Sequence, residues 1–203
     1  MSKIGIDLQH NGRKSVQGSS RLGFADPLKE GKDEYWWLAQ YAIGMQLRLN
    51  QLDHKTYLNG MGEYPDRAKR FNTHNCNLVV LCHVNQNPVS LRGTSKGNRS
   101  GKIFLHYQTS KLNVERARKA AAYLSERVPW GFDVMMAKPT DWTRNALNVQ
   151  KGYKAWTWVL EPFFGDQGAQ RGWIEAQPSI YPGLYGPLAF GALVGDAIDH
   201  AYG

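Results

Sequence analysis

The sequence predicts a single α/β domain, in which a twisted, mostly parallel β-sheet carries helices on both faces. Strand-like and helix-like segments alternate along the chain, which is typical of parallel sheets with crossover helices. Several strand-like segments are apolar throughout, as are strands buried on both faces. With 203 residues, 42% of them hydrophobic, and no internal repeat or linker, residues 1–203 are predicted to form one domain.

The first half of the chain is predicted to hold three strands and two helices. Residues 3–8 (KIGIDL) form a strand that ends just before His10, and the Gly-, Ser-, Lys- and Arg-rich residues 13–31 form a loop. From Asp33 to Gln51, apolar side chains recur at three- and four-residue spacing, which indicates an amphipathic helix with Asp33 as its N-cap. A strand at 54–58, a short helix at 64–75 and a buried strand at 77–85 follow.

The second half is predicted to hold two strands and two helices. They are a strand at 102–107, a helix at 111–127, a strand at 156–161 and a closing helix at 187–201. The strand at 156–161 (WTWVLE) is apolar until Glu161. An unpaired charge in such surroundings costs several kcal/mol, so this carboxylate needs a partner or a function. Trp156 and Trp158 share one face of this strand and are predicted to pack in the core.

The net charge of +8 favours polyanionic partners such as nucleic acid, anionic lipid or an acidic cell-wall polymer. The densest basic cluster, Arg92, Lys96, Arg99 and Lys102, lies in a predicted loop. This loop is either simply solvated or a flexible lip that attracts an anionic substrate. Basic residues are otherwise dispersed without a recognised nucleic-acid motif, so we expect no nucleic-acid partner.

The chain shows no signal for membrane insertion or for disulfide bonding. No stretch approaches the ~20 apolar residues of a membrane span, and the first residues (MSKIGIDLQH) lack the apolar region of a signal peptide. We therefore expect synthesis in the cytoplasm. Cys76 and Cys82, placed along one predicted strand, would lie about 20 Å apart, too far for a disulfide, and are predicted to be buried thiols.

Residues that can bind a metal or a proton follow three predicted strands and open one helix. His10, His83 and Glu161 stand at strand ends, and Glu34 opens the first long helix. The carboxyl ends of parallel strands share one sheet edge. Two histidines and a carboxylate are a common catalytic zinc set, with a second carboxylate as general base.

Each of these four residues also has an ordinary structural interpretation. A histidine at a strand end often only makes a hydrogen bond. A glutamate in the first helical turn interacts with the helix dipole, and one at a strand end pairs with a basic side chain. From the residues alone the metal site is a candidate. The remaining histidines are predicted to be structural or solvent-facing; they are His54, His74, His106 and His200.

Several segments, in order, resemble motifs of the zinc-dependent N-acetylmuramoyl-L-alanine amidases of the amidase-3 type. IGIDLQHNG resembles the opening strand and metal-binding turn, and DEYWWLAQYAIGMQLRL the glutamate-led helix. DRAKRFNTHNCNLVVLCHVN resembles the Arg-bearing helix and the strand with the last metal-binding histidine. WVLEPFFGD resembles the late strand with the catalytic glutamate. The resemblance covers nearly the whole chain.

The resemblance implies a role for each of the four residues. His10, Glu34 and His83 match the Zn²⁺ ligands, and Glu161 matches the catalytic glutamate. Glu30 competes with Glu34, which we prefer because the helical pattern starts directly after it. The usual turn is Gly-His-Gly-Gly, whereas Gln9 stands here before His10, so the geometry of the turn is expected to differ.

The activity implied is hydrolysis of the amide between N-acetylmuramic acid and the L-alanine of the peptidoglycan stem peptide. We expect a monomeric phage or prophage endolysin without a separate wall-binding domain, released to act on the cell wall. Trp142 and Arg144, in the polar segment KPTDWTRN, are candidate substrate contacts. Three alternatives stay open: another metallohydrolase on this scaffold, a non-enzymatic wall-binding or phage structural module, and a nucleic-acid binder.

Overall fold

The computed structural model contains one six-stranded sheet flanked by helices, and it describes residues 1–9, 34–60, 62, 64–85, 99–137, 150–177 and 181–202. The strands are β1 (Lys3–Leu8), β2 (Lys55–Asn59), β3 (Leu78–Cys82), β4 (Gly101–His106), β5 (Phe132–Ala137) and β6 (Trp156–Glu161). The helices are α1 (Glu34–Gln51), α2 (Tyr64–Thr73), α3 (Lys111–Ser125), α4 (Gly168–Glu175) and α5 (Gly186–Tyr202). None of these helices is both long and apolar enough to span a membrane.

The strands follow the order β2-β1-β3-β6-β4-β5 across the sheet. Strands β2, β1, β3 and β6 run parallel to one another, and β4 runs parallel to β5. Strand β4 is antiparallel to β6, so the last two strands are reversed. The predicted α/β fold with a mostly parallel sheet is confirmed. The strands β1, β3 and β6 end at the same border, called here the carboxyl edge.

Two elements of the structure, β5 and α4, were not predicted from the sequence. Strand β5 (FDVMMA) contains Asp and Met, and its burial does not alternate cleanly between the two faces. Helix α4 (GAQRGWIE) is eight residues long and includes two glycines, which lower helix propensity. In both elements tertiary packing compensates for a weak local signal.

Helices cover both faces of the sheet, as predicted. One face packs on α1, α3 and α5 through a large core that includes Ile6, Val80 and Trp158, with Trp156 partly buried against it. The tryptophan pair of β6 therefore packs as predicted. The other face packs on α2 through a smaller core. There a Cβ atom at Gly5 would lie 2.7 Å from the ring of Phe71, so glycine allows α2 to approach β1 closely.

Both cysteines are free thiols, as predicted. Cys82 ends β3 and is fully buried, whereas Cys76 precedes that strand and is partly buried. Burial raises the pKa of both thiols, which makes them poor nucleophiles at neutral pH.

Helices α1 and α5 cross at two glycines, which leads to a first prediction. A Cβ atom at Gly44 would lie 2.0 Å from the carbonyl oxygen of Leu188, and one at Gly191 would lie 2.0 Å from that of Tyr41. Gly44→Ala is therefore expected to lower the free energy of unfolding by about 1–3 kcal/mol, as measured by urea denaturation.

Gly172→Ala is the matched control for this substitution. A Cβ atom at this exposed position of α4 would meet nothing within 4 Å. Because alanine favours the helix, this change should leave stability unchanged or raise it by up to about 1 kcal/mol. Equal unfolding free energies for Gly44→Ala and the wild type would contradict the close helix crossing.

Candidate active site

The structure brings Glu34 and His83 together at the carboxyl edge. Glu34 is the first residue of α1, and His83 follows the last residue of β3. Atom Oε1 of Glu34 lies 3.7 Å from Nδ1 of His83, with side-chain exposures of 6% and 18%. The two side chains, predicted to be metal ligands, thus meet in a largely buried position. The imidazole of His83 is the more exposed of the two and remains partly accessible to solvent.

The backbone around His83 is fixed by three hydrogen bonds. The N–H of Val84 donates to Oε1 of Glu34 at 3.1 Å. The hydroxyl of Tyr41, about two turns after Glu34 on the same face of α1, donates to the carbonyl of His83 at 3.0 Å. The N–H of His83 donates to the carbonyl of Leu160 at 2.9 Å. Helix α1 therefore contributes both a candidate ligand and the support for another. Sequence periodicity identified Tyr41 only as a core residue.

Glu161 ends β6 beside this pair. Its neighbour Leu160 accepts the hydrogen bond from His83, so the chain leaves β6 next to the end of β3. The pKa of Glu161 is raised to about 8, first by burial and then by the negative charge of Glu34, while Lys102 acts in the opposite direction. A carboxyl group perturbed by desolvation and by a specific neighbouring charge is typical of functional sites.

Lys102 lies opposite Glu161 across the antiparallel pair of β4 and β6. Its side chain is buried, and its Nζ atom lies 3.1 Å from Oδ2 of Asp133 on β5. The sequence counted this lysine in a basic cluster and also placed it at the start of a predicted strand, 102–107; the structure places it in β4 with a charged partner. Lys102 is therefore a buried cation that is close enough to Glu161 to act on its pKa. Arg92 and Lys96 of the same cluster lie outside the described residues.

Four candidate residues from the sequence lie in segments that the structure does not describe. They are His10, the competing ligand Glu30, and the substrate contacts Trp142 and Arg144. The described chain reaches Gln9, whose N–H donates to the carbonyl of Cys82 at 3.4 Å. Residue 9 therefore lies beside the residue that precedes His83. The predictions for the four residues stay predictions.

The donors at the carboxyl edge suit a divalent cation in their chemistry. A carboxylate oxygen and an imidazole nitrogen are both ligands that Zn²⁺ accepts. Within the described ranges no three histidine, cysteine or acidic side chains form a metal-binding group. Glu34 and His83 are donor types found in catalytic zinc sites, and their assignment as ligands, with His10 as the third, stays a prediction.

The other histidines stand away from this edge and contact side chains of their own surroundings. Nε2 of His54 lies 2.9 Å from Oδ1 of Asp199 in α5. The remaining three stack on or pack against tyrosine rings, at Tyr57, Tyr107 and Tyr123. These contacts agree with the structural or solvent-facing roles predicted for His54, His74, His106 and His200.

Comparison with known proteins finds matches among solved structures, whereas the comparisons of sequence find none. No protein-family model matches the chain, and no curated protein matches it significantly. Its fold is similar to that of Cwp6 from Clostridium difficile, with a TM-score of 0.72 and 15% identity, over 98% of this chain and 29% of that one. The chain thus spans less than a third of Cwp6.

Two further solved structures match over almost their whole length. One is the apo form of the N-acetylmuramyl-L-alanine amidase Ami1 from Mycobacterium abscessus, with a TM-score of 0.67 and 16% identity over 100% of this chain and 99% of that one. The other is the N-acetylmuramoyl-L-alanine amidase AmiC2 of Nostoc punctiforme, with a TM-score of 0.66 and 11% identity over 97% and 94%. At identities this low, the structural similarity shows a shared fold alone.

Proposed function

We propose that this protein is a peptidoglycan hydrolase that cleaves the amide between N-acetylmuramic acid and the L-alanine of the stem peptide. The observation that carries the proposal is the contact of Glu34 with His83 at the carboxyl edge, where Glu161 ends the neighbouring strand β6. The fold is shared with solved N-acetylmuramoyl-L-alanine amidases. The sequence motifs that resemble this class of enzymes point to the same three residues.

The proposed cofactor is Zn²⁺, held by His10, Glu34 and His83. When bound, such an ion supplies Lewis-acid chemistry, polarising the scissile carbonyl and acidifying a water molecule. The hydrogen bonds from Val84 to Glu34 and from Tyr41 to the carbonyl of His83 fix the two described ligands. Such outer contacts orient ligands before a metal arrives.

Glu161 is the proposed general base and acid. Its carboxylate accepts a proton from the water that attacks the amide carbon, and then gives a proton to the nitrogen of L-alanine as the C–N bond breaks. A raised pKa suits the second task, because a general acid must still hold a proton near neutral pH in order to donate it. A nearby dication favours the ionised form, which suits the first task. This double role explains a carboxylate at the end of an apolar strand.

The proposal is tested on purified cell walls. Turbidity is followed with the zinc-loaded protein, with and without a chelator, and the soluble products are analysed by mass spectrometry. The expected result is chelator-sensitive clearing, with released stem peptides that begin at a free L-alanine amine. Trp142→Ala and Arg144→Ala, the predicted substrate contacts, are then assayed for a higher KM.

Other outcomes of this experiment assign the chain differently. Chelator-sensitive clearing with a different new terminus would place the chain among metallohydrolases that cut another bond of the wall. A folded, zinc-loaded protein that binds walls without cutting them would refute the enzymatic function and favour a wall-binding module.

A further inference from the structure

A buried polar network connects β1 to α2 directly below the carboxyl edge. Its centre is Arg67 of α2, whose side chain is fully buried together with that of Asp7 in β1. Nη1 of Arg67 lies 2.9 Å from Oδ1 of Asp7. The hydroxyl of Tyr153 and the amide of Gln9 both donate to Oδ2 of the same carboxylate. The network thus joins three separate segments of the chain.

The same guanidinium group binds the end of β1 through its backbone. Nη1 of Arg67 donates to the carbonyl of Leu8, and Nη2 donates to the carbonyl of Gln9 at 3.0 Å. Buried carbonyl groups need a donor, and these two follow one another immediately before His10. The planar, rigid fork of arginine can hold both carbonyls at a fixed separation, which the single ammonium group of a lysine cannot.

The remaining members of the network keep this arginine in place. Burial raises the pKa of Asp7 to about 6, while Arg67, Tyr153 and Gln9 act to lower it. The 2.9 Å ion pair with Arg67 favours the carboxylate form of Asp7, which balances the charge of the guanidinium group. Gln9 is fully buried and donates to Asp7 at 2.7 Å, a bond that a glycine at this position could not make.

We propose that Arg67 is a positioning residue that fixes the backbone entering the metal-binding turn at His10, an inference that rests on the function proposed above. Arg67 orients the last two carbonyls before the ligand. It therefore acts on metal affinity through the backbone and contacts neither the metal nor the substrate. Asp7 is the counter-ion of Arg67, and helix α2 places Arg67 below the carboxyl edge.

The experiment compares zinc affinity and thermal stability in three variants. Arg67→Met removes the fork and leaves Asp7 without its cation, and the double variant Asp7→Asn, Arg67→Met removes both buried charges. Arg48→Met is the matched control, because Arg48 also pairs with a carboxylate, Asp196, at 2.7 Å. Zinc affinity is measured by competition with a chromogenic chelator, in the absence of substrate.

The expected result separates positioning from stability. Arg67→Met should melt at a lower temperature and bind zinc about 10–100-fold more weakly, the usual effect of outer-shell changes. The double variant should regain much of the melting temperature, since removing both partners of a buried pair is often tolerated, but should not regain zinc affinity. Arg48→Met should lose stability and keep zinc affinity.

Four outcomes decide the inference and keep it distinct from the proposed function. A folded double variant that binds zinc as tightly as the wild type would overturn the positioning role, as would equal losses in Arg48→Met and Arg67→Met. A wild type that binds no zinc would overturn both proposals. If zinc affinity falls as expected but no muramoyl-alanine amide is cleaved, the positioning role is supported and the proposed function alone fails.

Discussion

Glu161→Gln is expected to lower turnover on peptidoglycan by about 10²–10⁴-fold, the range that a positioned acid–base group contributes. Glutamine keeps the size of the side chain but can neither accept the proton of the attacking water nor give one to the departing amine. The substitution also removes a carboxylate whose pKa is raised by burial and by Glu34. The fold and zinc affinity should therefore be retained or slightly improved.

Release of new L-alanine amines from purified walls measures this loss, and the variant is assayed with its zinc content and melting temperature. Glu115→Gln is the matched control, because Glu115 is exposed on α3, away from the carboxyl edge. Its rate should equal that of the wild type. A Glu161→Gln protein with a near-normal rate would remove Glu161 from the acid–base role and leave its partly buried position to be explained by structure alone.

The fold could be predicted from the sequence wherever hydrophobic periodicity was strong. Strand β3 (LVVLC) is buried at every position, and the apolar run in the sequence predicts it directly. The reversal of β4 and β5 could not be predicted in this way. The hydrophobic pattern of a strand does not indicate in which direction the strand runs in the sheet. The antiparallel contact of β4 with β6 also joins segments that are far apart in the chain.

The residues at the carboxyl edge could be predicted because the carboxyl ends of parallel strands lie at the same edge of a sheet. His83 directly follows a strand end and Glu34 opens the first long helix, and the structure places the two side chains 3.7 Å apart. The Asp7–Arg67 pair was not found from the sequence. Asp7 stands in an apolar strand just as Glu161 does. This was the one sequence feature that could have indicated a buried, paired carboxylate. Its partner is 60 residues away, and charge composition does not identify partners at such separations.

The contacts of Gln9 show a structural role that the sequence did not predict. By sequence it is a departure from the glycine expected before the metal-binding histidine. In the structure its side chain turns back on β1 and donates to Asp7, while its carbonyl accepts from Arg67. The substitution therefore adds a member to the network below the turn. The expected difference in the geometry of the turn itself concerns residues outside the described ranges.

Glu34→Gln is expected to reduce zinc affinity by more than the about 10–100-fold typical of outer-shell changes, and to reduce wall hydrolysis with it. Glutamine replaces an anionic ligand by a neutral one. Its amide oxygen can still accept the N–H of Val84, which Glu34 accepts at 3.1 Å, so the start of α1 and the backbone after β3 should remain in place. Zinc content after dialysis and chelator competition measure the change.

Glu30→Gln is the informative comparison, because the sequence left Glu30 as the competing second ligand. If Glu34 is the ligand, Glu30→Gln should bind zinc and hydrolyse walls as the wild type does. The reverse pattern, with zinc lost in Glu30→Gln and kept in Glu34→Gln, would reassign the ligand. Glu34 would then support His83 through its hydrogen bond from Val84 and its 3.7 Å contact with the imidazole. Its negative charge would act on the pKa of Glu161 without binding the metal.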